Sequence, residues 1–419
     1  MDLLMLAAQS LWNRRLTSAL VVLSIALSVA LLLGVERLHT QTRTSFANTL
    51  SGTDLIVGAR GSPINLLLYS VFRMGDPTNN VRWSSYQAIA ADPLVAWTVP
   101  LSLGDSHRGF RVLGTTPAYF QHYRYGRSQP LRLAEGRPFA EVFDAVLGAE
   151  VADRLGYRLG QSVIIAHGAA EVSFALHDDK PFQVVGILAR TGTPVDATVH
   201  IRLDGMEAIH ADWRGGAPMP GMRLSAEQVR QLDLTPKTIT AVLVGLQSRT
   251  TVFRVQRQIN EFPAEPLLAI LPGLTLQQLW TVLALAENAL LVISGLAVLV
   301  SFTVMLTALL TGLNERRREM AILRAVGAGP GHIFALMLGE SLTLALSGAL
   351  LGVLLLQAGL LLAGPLLEAR LGLVIAGWPP SPHELILLAA VIGGGLLAGL
   401  IPAWRAYRYS LADGMTLRI

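Results

Sequence analysis

The sequence predicts an α+β membrane protein. Four transmembrane helices carry a large extracytoplasmic α/β domain, a ferredoxin-like porter layer plus a β-rich insert, between helices one and two. Three observations lead there. The 419 residues are 52% hydrophobic and only 15% charged, with mean hydropathy +0.48, against about 25% charged residues in ordinary globular chains. Four apolar runs reach the length of about 20 residues that a bilayer crossing takes. Between the first and second of them, residues 38–283 break into strand- and helix-length segments punctuated by turn residues.

The four runs are Leu16–Val35, Ala289–Leu313, Ile333–Gly364 and Leu385–Ile401. Their Ser, Thr and Gly residues do not disqualify them, because a helix satisfies its own backbone. Arg14 and Arg15 give the first run the basic start of a signal peptide, but such a run is about 7–15 residues long. This one is longer, and its end, Gly34-Val35-Glu36-Arg37-Leu38, lacks a small-x-small cleavage site. An uncleaved anchor is favoured. The expected division is a cytoplasmic start 1–15, helices 16–37, 284–313, 332–364 and 384–404, an outer domain 38–283, a cytoplasmic corner 314–331, an outer loop 365–383 and a tail 405–419.

Charge sets the orientation. The net charge is +4, from 31 Arg and 2 Lys against 29 acids. Arg14, Arg15, Arg316, Arg317, Arg318, Arg324, Arg405, Arg408 and Arg418 face only Asp2, Glu315, Glu319 and Asp413 in the three short pieces, so these hold +5 and the rest −1. That places both termini in the cytoplasm and residues 38–283 outside. Such a distribution is a topology signal, and nucleic acid is not an expected partner.

In the outer domain, Asp54–Gly58, Val95–Leu103, Phe110–Gly114, Phe182–Leu188, Ala197–Leu203, Thr238–Leu246 and Leu267–Leu271 read as strands. Ser84–Ala91, opened by a serine cap, and Thr251–Asn260 read as helices, and another from Thr275 runs into the second span. Ala145–Gly148, Ala149–Gly156 and Ser162–Ala166 form an expected β-α-β unit. Strand and helix order at the two ends suggests the ferredoxin-like layer. Segment 206–236, with Gly215-Gly216, Pro218, Pro220 and Gly221, reads as a loop.

Several chemistries are absent from the sequence. Cysteine is absent, which excludes disulfides and thiolate metal sites. Neither lysine, Lys180 nor Lys237, follows a glycine, so there is no P-loop. The motifs His-Glu-x-x-His and Gly-x-Ser-x-Gly do not occur. His167, His177, Asp178, Asp179, His200, His210 and Asp212 gather loosely, but without the i, i+4 spacing of a zinc motif. Solvated loop residues are preferred to a metal site, and no metal and no catalytic residue is expected.

Glu340 is an acid inside the third span, where pairing with an arginine of the preceding loop is favoured over a proton relay. Gly348, Gly352, Gly395 and Gly399 supply small-x-x-x-small spacing for close helix packing, within one subunit or between two. Ile64, Leu66, Leu67, Leu68, Tyr69 and Phe72 make an apolar segment. Core packing is its preferred reading, and contact with lipid, a lipidated cargo or a partner is the alternative.

Residues Asn314–Gly331 combine a charged helix, in which Met320, Leu323 and Val326 recur every three residues, with three glycines and Pro330 that end it. An ordinary positive-inside loop is the plain reading. The run Arg316–Ala328 resembles the cytoplasmic loop of the MacB/FtsX/LolC-type ABC transporter permeases, whose pattern is Arg-x-x-Glu-[Ile/Met]-x-x-x-[Arg/Lys]-Ala-[Ile/Leu/Val]-Gly-Ala. Glu340 with Gly348 and Gly352, the tail Pro402-Ala403-Trp404-Arg405-Ala406 ending in Leu411–Met415, the outer Gly148-Ala149-Glu150 run and the order of spans are similar too.

The resemblance implies a non-catalytic permease, a homodimer or a heterodimer with a related permease, in the bacterial inner membrane. Two copies of a separate ATPase would dock at Glu315, Arg316, Arg318, Glu319, Arg324, Ala325, Gly327 and Ala328. ATP and Mg would sit on that partner, with no cofactor on this chain. A periplasmic adaptor, carrier or lipoprotein is the implied outer partner, with efflux or lipoprotein/lipid extraction as the work. Regulation of a periplasmic enzyme, such as a wall hydrolase, is the alternative.

Overall fold

The computed structural model describes residues 14–168, 177–214, 217–218, 224–315, 317–371 and 379–408. The chain divides into two compact units, Met1–Thr42 with Leu283–Ile419, and Arg43–Val282.

The first unit is built on four long helices: α1 (Arg15–Thr49), α7 (Pro272–Glu315), α9 (Pro330–Leu371) and α10 (Pro382–Arg408). All four are long and apolar enough to cross a membrane. All four run beyond the apolar stretches. Ser381 opens α10: its Oγ accepts from the Glu384 amide at 3.1 Å, while the Glu384 carboxylate accepts from the Ser381 amide at 3.0 Å. This reciprocal pair with Pro382 at the first helical position is a capping box. Val21, Ile25, Val29, Leu33, Met305, Leu344 and Val391 form the common core of the bundle. Leu16, Leu20, Leu27, Leu285, Val292 and Leu296 point outward, as lipid-facing side chains do.

The second unit is organised by one sheet of eleven strands. In chain order these are β1 (Leu55–Ala59), β2 (Val95–His107), β3 (Phe110–Thr115), β4 (Leu133–Gly136), β5 (Asp144–Leu147), β6 (Ser162–Val163), β7 (Ala166–His167), β8 (Phe182–Leu188), β9 (Thr198–Arg202), β10 (Ala241–Leu246) and β11 (Leu267–Ile270). The main path runs β11-β1-β10-β2-β3-β9-β5-β8-β4, with β7 paired to β2 and β6 to β8. Along the first four, each strand is antiparallel to its neighbour. With α3 (Trp83–Ala90) between β1 and β2, and α6 (Val252–Asn260) between β10 and β11, they make the expected ferredoxin-like order. Ile89 of α3 and Val255 and Ile259 of α6 bury against Leu55, Val57, Val242 and Val244 on one face.

The insert is no separate layer. β2 runs for thirteen residues and pairs with β3 as well as β10, so the insert continues the same sheet. Its own core gathers Phe143, Val151, Ile165, Phe182, Val199 and Ile209.

Four expectations need correction. The helix expected from Ser84 starts at Trp83, and its cap position, Arg82, makes no side-chain cap hydrogen bond. The expected strand 162–166 is split into β6 and β7, and the parallel partner of β5 is β8, across α4 (Ala149–Leu155). The expected strand 238–246 breaks at Thr240, whose Oγ1 accepts from the Leu103 amide at 2.9 Å. Segment 206–236 carries the end of α5 (Leu203–Ile209), the pairing Trp213–Arg214 with Ala217–Pro218, and a helical turn at Ala226–Val229.

His200 on β9 is fully buried beside Tyr119, its Nδ1 3.3 Å from the Val146 carbonyl oxygen. Burial holds its pKa down from 6.5 to about 3. Between those values the unfolded chain takes up a proton that the folded chain refuses. The stability this group contributes is therefore complete above pH 6.5 and is lost as pH falls, by about 1.4 kcal/mol per unit. His200→Asn removes that slope. Thermal unfolding compared at about pH 7 and about pH 5 is expected to show a smaller acid loss in the variant than in the parent.

Candidate functional site

The corner between α7 and α9 is built by α8 (Arg317–Ala325) and its termination. The Ala328 amide donates to the Leu323 carbonyl at 2.9 Å, and the Gly327 amide donates to the Arg324 carbonyl at 3.1 Å. Gly327 has φ +106°. These are the two bonds of a Schellman ending, which needs a left-handed residue that glycine supplies without strain. Gly327 thus acts through its backbone, and the chain turns at once into Pro330, the start of α9.

The helix does not present the expected single apolar face. Met320 is buried with Leu313, Ile333, Met337, Ala403 and Ala406, Leu323 is half-buried, and Val326 is 83% exposed. The two alanines are those of the Pro402-Ala403-Trp404-Arg405-Ala406 run, which therefore braces the corner. The opposite face is open: Glu319, Ile322 and Val326, spaced i, i+3 and i+7, are all exposed, as is Ala325. Ala328 is half-buried. Arg324 is partly buried, and its Nη1 has no hydrogen-bond partner among the described residues. Arg316 lies outside the described residues, as does the tail Leu411–Met415. Glu315 and Arg318 fall at the end of α7 and the start of α8.

Helix packing within the membrane unit uses small residues. A Cβ on Gly348 would stand 2.6 Å from Ile25 Cβ, and one on Gly352 2.7 Å from Val29 Cβ, so this pair seats α9 on α1. A Cβ on Gly395 would stand 2.8 Å from Ala345 Cβ, and one on Gly399 would collide with the Ser341 side chain, which seats α10 on α9. α1 and α7 are joined by hydroxyls. Ser301 Oγ lies 3.0 Å from Ser24 Oγ and 2.7 Å from Ser28 Oγ, and Ser28 also donates to the Ala297 carbonyl at 3.1 Å.

Glu340, almost wholly buried, lines a cleft with Thr17, Gly312, Met337 and Arg14. Among the described residues the basic group lining that cleft is Arg14, from the start of the first helix; of the loop arginines, Arg316 lies outside the described residues. Arg14 also donates to the Gly312 carbonyl at 3.3 Å.

Sequence reasoning missed a second buried charge. Arg37 Nε and Nη2 donate to the two carboxylate oxygens of Glu384 at 2.7 and 2.6 Å, with 6% and 3% of the side chains exposed. The local half of this site is legible as Ser381-Pro382-His383-Glu384. Its partner is 347 residues away.

In the second unit, Leu66, Leu67, Tyr69 and Phe72 of α2 (Pro63–Leu67) and the π-helical turn Leu68–Phe72 are buried in the core with Ile56, Leu101 and Leu113. A Cβ on Gly58 of β1 would stand 2.6 Å from Leu66, which measures how closely they pack. These four side chains are therefore closed to an outside partner, and only Ile64 and Leu68 keep partial exposure. Burial also pushes the Tyr69 hydroxyl up to about 12.

The scattered histidines need correction too. His167, His177 and His210 meet Asp105 with one ligating atom from each residue inside a 4.8 Å span, and His177 and Asp105 are buried. His200 is elsewhere, in the core. Asp179 and Asp212 hold the buried Lys180 ammonium at 2.7 and 2.8 Å.

Residues 18–262 match the family model of the MacB-like periplasmic core domain, and residues 291–411 that of the FtsX-like permease C-terminal region. The first match alone spans more than half of the chain, which thus belongs to the MacB/FtsX-like ABC transporter permeases. It is a multi-pass membrane protein with an extracytoplasmic domain. Macrolide export ATP-binding/permease protein MacB of Rhodopirellula baltica is 23% identical over 460 residues, covering 98% of this chain and 62% of the relative. The chain thus spans about three fifths of that protein. The uncharacterized ABC transporter permease YknZ of Bacillus subtilis is 34% identical over 121 residues, 27% of each chain. Among solved structures, the periplasmic region of MacB from Actinobacillus actinomycetemcomitans has a TM-score of 0.35 at 11% identity, covering 56% of this chain and 94% of that one. The extracellular domain of YknZ from Gram-positive bacteria, described as a noncanonic ABC-type transporter, has a TM-score of 0.31 at 12% identity, covering 52% and 99%.

The Arg37–Glu384 pair gives a direct test. Removing one partner of a buried pair strands the other charge and costs about 3–5 kcal/mol, whereas replacing both by apolar groups is close to neutral. Arg37→Met and Glu384→Leu are each expected to lower the thermal midpoint of the detergent-solubilised protein strongly, and the double variant to recover most of the loss.

Proposed function

We propose that this chain is the membrane subunit of an ABC transporter that couples ATP hydrolysis on a separate ATPase subunit to conformational work outside the membrane, in efflux or in extraction of a lipid or lipoprotein. The observation that carries it is the α8 corner. One face of this short helix is fastened to α7, α9 and α10 through Met320, and the other offers Glu319, Ile322, Ala325 and Val326 to solvent. A helix braced in that way transmits a push to the spans on either side of it, and an apolar pair with no cover marks a docking face.

The proposed arrangement places both termini and residues 314–331 in the cytoplasm, residues 38–283 and 365–383 outside, and the protein in the bacterial inner membrane. Two copies of the chain, or this chain and a related permease, bind two ATPase copies, which hold ATP and Mg. The chain itself is non-catalytic, and Glu319 and Arg324 supply the charged contacts. The named export role of the Rhodopirellula relative favours efflux, and an adaptor or carrier on the outer side completes that reading.

Co-purification with the cognate ATPase tests it. Val326 is almost free of the fold, so Val326→Asp is expected to leave the permease intact and to lower ATPase recovery at least about tenfold, a loss of about 1.4 kcal/mol. Glu319→Ala and Arg324→Ala are expected to act in the same direction. An ATPase that stays bound to all three variants would falsify the coupling assignment.

A further inference from the structure

Four segments of the outer domain converge on one point. β7 pairs with β2 in a register that sets His167 opposite Asp105. His177 follows, with its amide donating to the Ile165 carbonyl. His210 closes α5, and its ring turns back into the same space. His167 Nδ1 stands 3.1 Å from Asp105 Oδ1 and 3.0 Å from His210 Nε2, and His210 Nε2 stands 3.6 Å from Asp105 Oδ2. A zinc ion holds its nitrogen and oxygen ligands at about 2.0–2.1 Å, so the edge of its tetrahedron is about 3.3 Å. The three separations bracket that value.

The tautomers suit a cation. His210 Nδ1 donates to the Met206 carbonyl oxygen at 2.9 Å. In a neutral imidazole this leaves Nε2 as a lone pair, aimed at the cluster. A backbone carbonyl on the far nitrogen is how metal-binding histidines are commonly oriented. The Lys180 ammonium is engaged by Asp179 and Asp212, so among the described residues Asp105 is the one carboxylate in the cluster. The Trp213 ring lies tilted or edge-on to all three imidazoles, with centroids 4.6–5.4 Å away.

A cation-free reading makes His167 and Asp105 a simple ion pair. It leaves two atoms unexplained. His177 Nε2 and Asp105 Oδ2 are both buried without a hydrogen-bond partner among the described residues, in side chains about 99% removed from solvent. Buried polar atoms are rarely left so, because each loses its hydration without replacement.

We propose that Asp105, His167, His177 and His210 form a structural zinc site that fastens the β2–β7 pair to the end of α5. Four protein ligands close the tetrahedron, which marks a structural and not a catalytic ion. The all-nitrogen and oxygen donor set suits zinc without help from cysteine, which the chain lacks.

The test uses the full chain in detergent, with any polyhistidine tag removed. After dialysis against a chelator and reloading with Zn²⁺, metal analysis is expected to give one zinc per chain. The thermal midpoint should rise by about 5–10 °C once free zinc is a hundredfold above its Kd. Co²⁺ in place of zinc should give the visible absorption of a tetrahedral site. Asp105→Asn and His177→Gln should each lose stoichiometric binding and the thermal shift. If either variant fails to fold, the parent's stoichiometry and Co²⁺ spectrum decide. The site is refuted if the parent holds well below one zinc with no thermal shift, or if both variants bind as the parent does.

Discussion

A guanidinium and a carboxylate buried together, Arg37 on α1 and Glu384 at the start of α10, constrain the whole membrane unit. Neither charge can be left alone at the end of an apolar run, so the first and last long helices must meet there. Glu384 also caps its own helix through Ser381, so a single carboxylate fixes where α10 begins and what it leans on. The remaining contacts close the figure. Gly348 and Gly352 bring α9 onto α1, Gly395 and Gly399 bring α10 onto α9, and the Ser24–Ser28–Ser301 hydroxyls bring α7 onto α1. In hydrocarbon there is little hydrophobic force between helices, and close backbone approach and satisfied polar groups take its place.

The outer domain obeys a different rule, burial on two faces of one long sheet. β2 makes this possible. Its thirteen residues serve the ferredoxin-like order at one end and the insert at the other. A register shift between Leu103 and Ser106 divides the two roles. Asp105 lies within that shift and is the residue on which the three histidines converge.

Much of this was legible in the sequence because it is local. Apolar runs give spans, alternation gives strands, and glycines and proline give the corner. The Phe182–Leu188 strand and the ferredoxin-like order follow from such signals. What was not legible joins residues far apart. Arg37 and Glu384 are separated by 347 positions. His167, His177 and His210 share no helical period, so a spacing rule reads them as scattered, and only the β7–β2 register and the end of α5 bring them to Asp105. The apolar period of α8 misled for a related reason. A step of three falls short of the 3.6-residue turn, and α8 ends at Ala325, so Met320 is covered by Ala403 while Val326, six residues on, is not.

The pairing of β1 with β11 has an evolutionary consequence. These strands open and close the outer sheet, and Ile56 at the start of one lies opposite Ile270 at the end of the other. The polypeptide thus goes into the sheet and comes out of it at one doorway. A module whose two ends meet can be lengthened, shortened or exchanged without rerouting the chain on either side of it. The four long helices and their corner make a frame that such an exchange leaves untouched.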